Sequence, residues 1–210
     1  MELPRTVPEL PAAHGLLPRT VPELPAAHGL LPRTVPELPA AHGFRLRRWS
    51  PDDTGLLREA ATDPYIPLTT TVPSPYSPAA AAAYLQRQWR RTEIGTGYPF
   101  VIVDPAGRAV GDVGLWVGEL PLRGWATAGY WVAPTARRRG AATAALGAVT
   151  AWALGELALP GIELYVEPGN TGSIRTAERA GYRCTGLRPA HQVVDGRPRD
   201  MWRYVRTQQQ

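Results

Sequence analysis

From residue 44 onward, blocks of apolar and polar residues switch between the two-residue period of a strand and the 3.6-residue period of a helix. FRLRRW (44–49) alternates as a half-buried strand does. SPDD (50–53) then offers Ser50 as N-cap, Pro51 at the first helical position and Asp53 near the capping-box position, which predicts a helix to about Thr62. A proline-rich stretch at 64–77 predicts a loop, and Ser77-Pro78 opens a second helix that stops before Gly95. YPFVIV (98–103) and RAVGDVGLWVG (108–118) flank the turn sequence DPAG and predict a hairpin, with GWATAGYWVA (124–133) as a further strand. Between Gly140 and about Glu156, Ala142, Ala145, Leu146, Val149, Trp152 and Ala153 share one helical face. IELYVE (162–167) predicts a strand, GNTGSIRTAERAG (169–181) a short helix ended by Gly181, and YRCTGL (182–187) another strand. VVDGRPRDMWRYV (193–205) supplies a DG turn and the last strand. Strands first and then alternating strands and helices give an α/β, or layered α+β, fold with a mixed sheet.

Upstream of this domain the pattern changes. LPRTVPELPAAHG occurs three times unchanged, at 3–15, 17–29 and 31–43. The period of 14 matches two heptads, but each repeat carries three prolines, and each proline costs roughly 3 kcal/mol inside a helix. Extended, polyproline-like structure is expected instead. The chain therefore divides into a flexible or loosely docked arm (1–43), a domain (44–206) and a polar tail (207–210). The arm either has no task or binds a partner. His14, His28 and His42 recur at the same period, but nothing in a proline-rich segment fixes their geometry, and no metal site is expected.

Composition narrows the class. With 44% hydrophobic and 20% charged residues, the 210-residue chain reads as an ordinary globular protein. One cysteine, Cys184, excludes an internal disulfide framework, and Cys184 itself is expected to be a small buried hydrophobe. No apolar run approaches the ~20 residues of a membrane span, and prolines interrupt any signal-peptide core, so a cytoplasmic location is the default. All 23 basic residues are arginine; the arm carries three against four acids and the remainder twenty against fourteen, leaving the domain at +6. Such a charge steers anionic ligands, a phosphate-bearing cofactor as readily as a nucleic acid.

The densest charge is Arg137-Arg138-Arg139, directly before Gly140-Ala141-Ala142 at the start of a predicted helix. A helix N-terminus presents unpaired N–H groups and a positive dipole end, and glycine lets a phosphate approach the backbone. The pattern is neither a Walker motif nor GxGxxG.

R-x-x-G-x-A after a strand ending GYWVAP resembles the acyl-CoA-binding motif of the GNAT superfamily of N-acyltransferases. Asn170-x-x-Ser173, followed by Gly181-Tyr182, resembles that family's second cofactor-side helix. The layout of 44–206 is similar to the branch of ribosomal-protein N-terminal acetyltransferases. The resemblance implies a mixed, mostly antiparallel sheet flanked by helices, and acetyl-CoA as the acetyl donor. It implies that Arg137, Arg138, Arg139, Gly140, Ala141 and Ala142 cradle the pyrophosphate, that Trp131 and Val132 pair with the pantetheine arm, and that Asn170 and Ser173 complete the cofactor side. A backbone N–H near Val132 would polarise the thioester carbonyl. The acceptor would be a primary amine of a small molecule or a protein N-terminus, and a homodimer is compatible with it.

The chain also departs from that family. The tyrosine that often protonates the departing thiolate is replaced by Ala177, which leaves Ser173 as the hydroxyl in its place, or else as a plain helix cap. The acid often found in the strand before GYW is Thr127 here, and Glu163, Glu167 and His191 stand as candidate bases. Tyr182 reads as a core aromatic, while Trp89, Trp116, Trp125 and Tyr76 line an acceptor pocket or pack in the core. A non-catalytic acyl-CoA sensor and a basic nucleic-acid-binding protein remain as alternatives; no nucleic-acid-binding motif supports the latter.

Overall fold

A computed structural model describes residues 31–208, without the side chains of Pro121 and Arg123. Strands β1 (Leu38–Pro39), β2 (Arg45–Arg47), β3 (Gly97–Val103), β4 (Ala109–Trp116), β5 (Ala126–Val132), β6 (Gly161–Val166), β7 (Arg183–Val194) and β8 (Arg197–Thr207) form one sheet. Its order is β1-β2-β3-β4-β5-β6-β8-β7, antiparallel throughout except for β5 with β6. Helices α1 (Thr54–Ala60), α2 (Ile66–Thr69), α3 (Pro78–Glu93), α4 (Leu120–Arg123), α5 (Ala141–Gly155) and α6 (Thr171–Arg179) complete it. This is the layered α/β architecture expected from the sequence.

Local chemistry sets the helix starts. Ser50 and Asp53 form the reciprocal capping box: Asp53 Oδ2 accepts from Ser50 N–H at 2.7 Å, and Arg47 holds the same carboxylate. Ser77 Oγ accepts from Ala80 N–H at 3.1 Å, with Pro78 at the first helical position of α3. Helix α3 then buries Ala81, Tyr84, Leu85, Gln88 and Thr92, one stripe at helical spacing.

The strand period splits the core in two. Tyr98, Phe100 and Ile102 of β3 face α5 with Leu146, Val149 and Trp152, whereas Val101 and Val103 face α1 and α3 with Trp49, Leu57 and Leu85. Trp152 meets Tyr98 and Phe100 edge-on at 4.9 and 5.7 Å.

Three features depart from the sequence reading. The third repeat is packed: Leu38 pairs with Leu46 and is buried beside α5, Tyr98 donates to the Pro32 carbonyl at 2.9 Å, and Arg33 donates to the Glu93 carbonyl at 3.2 Å. The ordered unit thus begins upstream of Phe44, because the edge of β2 offers backbone partners and an apolar shelf that one repeat cannot build alone. The first two repeats lie outside the described residues. Strand β7 runs on to Val194 through Pro189, shifting register between Arg188 and Gln192, with Ala190 left-handed at φ 50°. It is an edge strand paired with β8 alone, so Cys184 is exposed rather than buried.

Strands β5 and β6 pair through two positions, Ala126 with Ile162 and Thr127 with Glu163. Beyond them β5 keeps only β4 as its ladder partner and β6 keeps only β8. The sheet therefore opens at Ala128–Val132, directly before α5.

Candidate active site

Two clefts meet at this opening. The larger, about 630 Å³, lies where β5 runs into α5 and α6. Helix α5 opens on Gly140, which is left-handed at φ 83° and makes no side-chain cap, and the first turn holds no acid. A Cβ at Gly140 would meet no atom within 4 Å, so the need for glycine resides in the backbone. Its first N–H groups are thus turned toward the cleft without a side-chain competitor, which suits an anion. Arg138, Arg175 and Arg179 line the same space. The donor set fits the pyrophosphate of a CoA thioester.

Trp131, Val132, Arg137, Arg138, Gly140, Ala141, Ala142, Asn170 and Ser173 all lie on this cleft's wall; Arg139 is exposed outside it. Arg137 is committed to the protein: Nε donates to the Val132 carbonyl at 3.1 Å and Nη2 to Asp63 at 2.6 Å. Burial pushes the Asp63 carboxyl up, but N–H groups of Ile66 and Tyr65 and the Arg137 guanidinium outweigh it and hold it below the usual range. Ala133 N–H donates to the Val110 carbonyl, a register in which Val132 N–H turns away from β4 toward the opening.

The reading of Ser173 as a helix cap is corrected. Asn170 is the N-cap of α6, its Oδ1 accepting from Ser173 N–H at 3.0 Å. The Ser173 carbonyl accepts from the Tyr130 hydroxyl at 3.1 Å, and burial pushes that phenol up to about 12. Ser173 borders both clefts.

The second cleft, about 360 Å³, lies on the α1–α3 face. Tyr65, Thr69, Tyr130, Trp131, Asn170 and Ser173 belong to both, so they mark the junction. Trp116 lies over Gly97 and Gly114, where any Cβ would collide with its ring, and the Arg91 guanidinium stacks 4.7 Å from the ring centroid. Of the four aromatics that sequence offered for this pocket, Trp116 alone lines it. Trp89 instead donates to the Trp49 carbonyl, Arg58 stacks on Tyr76, and Trp125 covers Gly161.

The candidate bases separate. Glu163 is buried against Arg203 at 2.8 Å and is off the pocket wall. Glu167 is on it, accepting from Tyr65 OH at 2.8 Å with Arg199 at 3.7 Å. His191 stacks on Tyr165 at 3.8 Å and is off the wall. Tyr182 is a core aromatic bonded to Thr150 at 2.7 Å. Sequence reasoning missed Asp63, Asp112 and Gln88: each reaches the site by tertiary contact, though a lone acid inside the apolar strand AVGDVGLW was a visible signal. Among the described residues, no group of three or more His, Cys, Asp or Glu is placed to hold a metal ion.

Residues 44–183 match the acetyltransferase (GNAT) domain model, more than half of the chain. The chain belongs to the GNAT acetyltransferase family. Enzymes of this family use acetyl-CoA as acetyl donor. A search of curated protein sequences gave no match. Among solved structures, RimJ of Mycobacterium smegmatis in complex with CoA-disulfide is similar at 25% identity and TM-score 0.71, over 83% of this chain and 87% of that one. A ribosomal-protein-serine acetyltransferase structure from Vibrio cholerae shares 20% identity at TM-score 0.69, over 83% and 99%. A spermidine N-acetyltransferase chimera from Vibrio cholerae and hSSAT shares 18% at TM-score 0.64, over 80% and 96%. No helix among the described residues is long and apolar enough to cross a membrane.

Proposed function

We propose that this GNAT enzyme acetylates a primary amine, of a small molecule or a protein N-terminus, that enters the smaller cleft while acetyl-CoA lies in the larger one. The observation that carries this reading is the junction: six residues shared by two clefts of different chemistry, at the point where the sheet parts. Acetyl-CoA supplies a thioester. The α5 N-terminus and Arg138 hold its phosphates, Val132 N–H faces the carbonyl, and the Ser173 hydroxyl gives its proton to the departing sulfur. The neighbours named above act on ribosomal proteins and on spermidine, which supports both kinds of acceptor.

A second reading, an acyl-CoA-binding protein without turnover, is favoured by Thr127 and Ala177, neither of which offers the acid–base group many relatives carry there. Free-CoA release from acetyl-CoA, screened against peptides with free N-terminal serine or alanine and against spermidine, separates the two. Release with one class of amine supports the enzyme; calorimetric binding of acetyl-CoA with no release from any amine overturns it.

A further inference from the structure

Asp112 sits on β4 in cross-strand register with Trp131, on the acceptor side of the junction, and is 7% exposed. It lies among Trp49, Tyr84 and Trp131 at an otherwise apolar face. Its Oδ1 accepts from the Trp49 indole N–H at 2.9 Å; no other described residue donates a hydrogen bond to it. The cation whose charge reaches it, Arg91, stacks on Trp116 and donates to Gln88 Oε1 at 2.7 Å, so it tempers the carboxylate without contacting it. Gln88, 1% exposed on the same wall, leaves its Nε2 without a partner. The second Asp112 oxygen, which receives no hydrogen bond from the described residues, and the buried, unpartnered Gln88 Nε2 lie on one pocket wall, and a polar ligand there could supply the complement of each. The other carboxylate on this wall, Glu167, accepts from the Tyr65 hydroxyl through Oε2; its Oε1 has no hydrogen-bond partner but has a cation beside it, Arg199 at 3.7 Å, which Asp112 lacks.

We infer that Asp112 is the catalytic base: its free carboxylate oxygen takes the proton of the acceptor ammonium at the mouth of the thioester site. This rests on the functional reading above and gives it a residue that motif comparison does not reach. The ammonium loses one proton to Asp112; the freed nitrogen lone pair bonds to the acetyl carbonyl carbon; the carbon–sulfur bond breaks and its electron pair leaves on sulfur, which Ser173 protonates. A second amine proton restores the serine hydroxyl, and Asp112 returns its own to solvent, so the net products are amide, CoA thiol and one proton.

Burial pushes the Asp112 carboxyl up to about 7, against the Trp49 hydrogen bond and the Arg91 charge. A group poised there exchanges a proton near neutrality, as a general base must. The groups that face it are Trp49, then Tyr84, Gln88 and Arg91 from α3, and Trp131 from β5; the Tyr84 phenol is itself pushed well up, by burial first and by the Asp112 charge second.

The test is kcat/KM against pH for spermidine and for a serine-terminated peptide. The parent should show an acid limb with its midpoint near 7. Asp112→Asn should lose that limb and fall by about 10²-fold or more while remaining folded by circular dichroism. Trp49→Phe keeps the carboxylate but removes the N–H that favours its charged form, so the midpoint should move up in pH. Without any acceptor, the Trp49 indole N–H resonance should titrate with the parent's midpoint, which a purely structural Asp112 that stays in one protonation state would not produce. A folded Asp112→Asn enzyme with parental kcat/KM and limb overturns the assignment, as does an indole resonance flat from roughly pH 5 to 9. A parent that turns over beside an unaffected variant defeats this inference alone; a parent that releases no CoA with any amine defeats the functional reading and this one with it.

Discussion

The two clefts share six residues and little else. The donor cleft is built from backbone: an uncapped helix start, a strand edge released from its neighbour, and arginines around them. Its one carboxylate, Asp63, is tied to Arg137. The acceptor cleft is built from side chains that arrive from α3, β4, β5, β6 and the β7–β8 hairpin, with aromatic walls, two carboxylates and an unpaired amide. On the proposed reading the first takes a ligand of fixed chemistry, whose phosphates any polypeptide can meet with N–H groups. The second would then take the acceptor amine, and only side chains can encode which amine that is.

The largest expected effect breaks the donor side alone. Gly140→Glu forces a residue with a Cβ into φ 83° and sets a carboxylate at the positive end of α5. Acetyl-CoA affinity should fall about 10²-fold or more, the equivalent of roughly 3 kcal/mol from strain and like-charge repulsion combined. Calorimetric titration reads this directly. A folded variant with parental affinity would remove the α5 start from the donor site.

The next effect belongs to the junction. Ser173→Ala should lower kcat by about 10²-fold if the hydroxyl protonates the thiolate, with acetyl-CoA affinity little changed. Because Asn170 and not Ser173 caps α6, the melting temperature should stay within about 2 °C of the parent, less than ~1 kcal/mol at this size. Turnover within about threefold of the parent would take Ser173 out of the chemistry and leave the thiolate, whose reference pKa is ~8.5, to depart unaided.

The same contrast explains what the sequence disclosed. Trp131–Ala142 and Asn170–Ser173 are two short segments, legible as a motif with a physical reason, and residues of both line the larger cleft. The helix caps at Ser50 and Ser77 and the Asp195-Gly196 turn, left-handed at both residues, were legible for the same local reason. Asp112 and Gln88 were not, because nothing local says that residues on β4 and α3 face one cavity. Repeat composition misled as well. Three prolines in the third repeat argue correctly against a helix, but they do not say that Leu38 finds an edge strand to cover.

Truncation turns that last point into a measurement. Deleting residues 1–30 should leave the melting temperature of the remaining chain near the parent's. Deleting 1–43 should lower it by about 4–8 °C, since it exposes the shelf under Leu38, a side chain whose burial stabilises by ~2 kcal/mol. Pro39, Ala40, Ala41 and His42 also wall a groove beside Gly140, Thr143 and Arg179, so this larger deletion should weaken acetyl-CoA binding more than it changes kcat. Equal melting temperatures for the two truncations would return the third repeat to the status of a loose arm.

The smallest effect tests whether the arginine run is one device or two. Arg137 braces Asp63 and the Val132 carbonyl, whereas Arg138 lines the donor cleft with no such contacts in the described structure. Arg137→Gln should therefore cost stability and Arg138→Gln should cost binding. The Asp63–Arg137 pair leaves the arginine side chain 46% exposed, so after solvent screening its loss should cost about 0.5–1 kcal/mol, or roughly 1–4 °C in melting temperature. The pH dependence follows from the lowered Asp63 carboxyl. A group whose folded pKa lies below its unfolded value stabilises above that unfolded value and loses the contribution as pH falls through the folded one. The gap between parent and Arg137→Gln should be full at pH 7 and close in acid, once Asp63 is protonated in both. Acetyl-CoA affinity should change less than threefold in Arg137→Gln and about tenfold in Arg138→Gln, the value of a charge-assisted phosphate hydrogen bond. A tenfold loss in Arg137→Gln with no change in melting temperature would reverse the assignment and make the whole run a phosphate clamp.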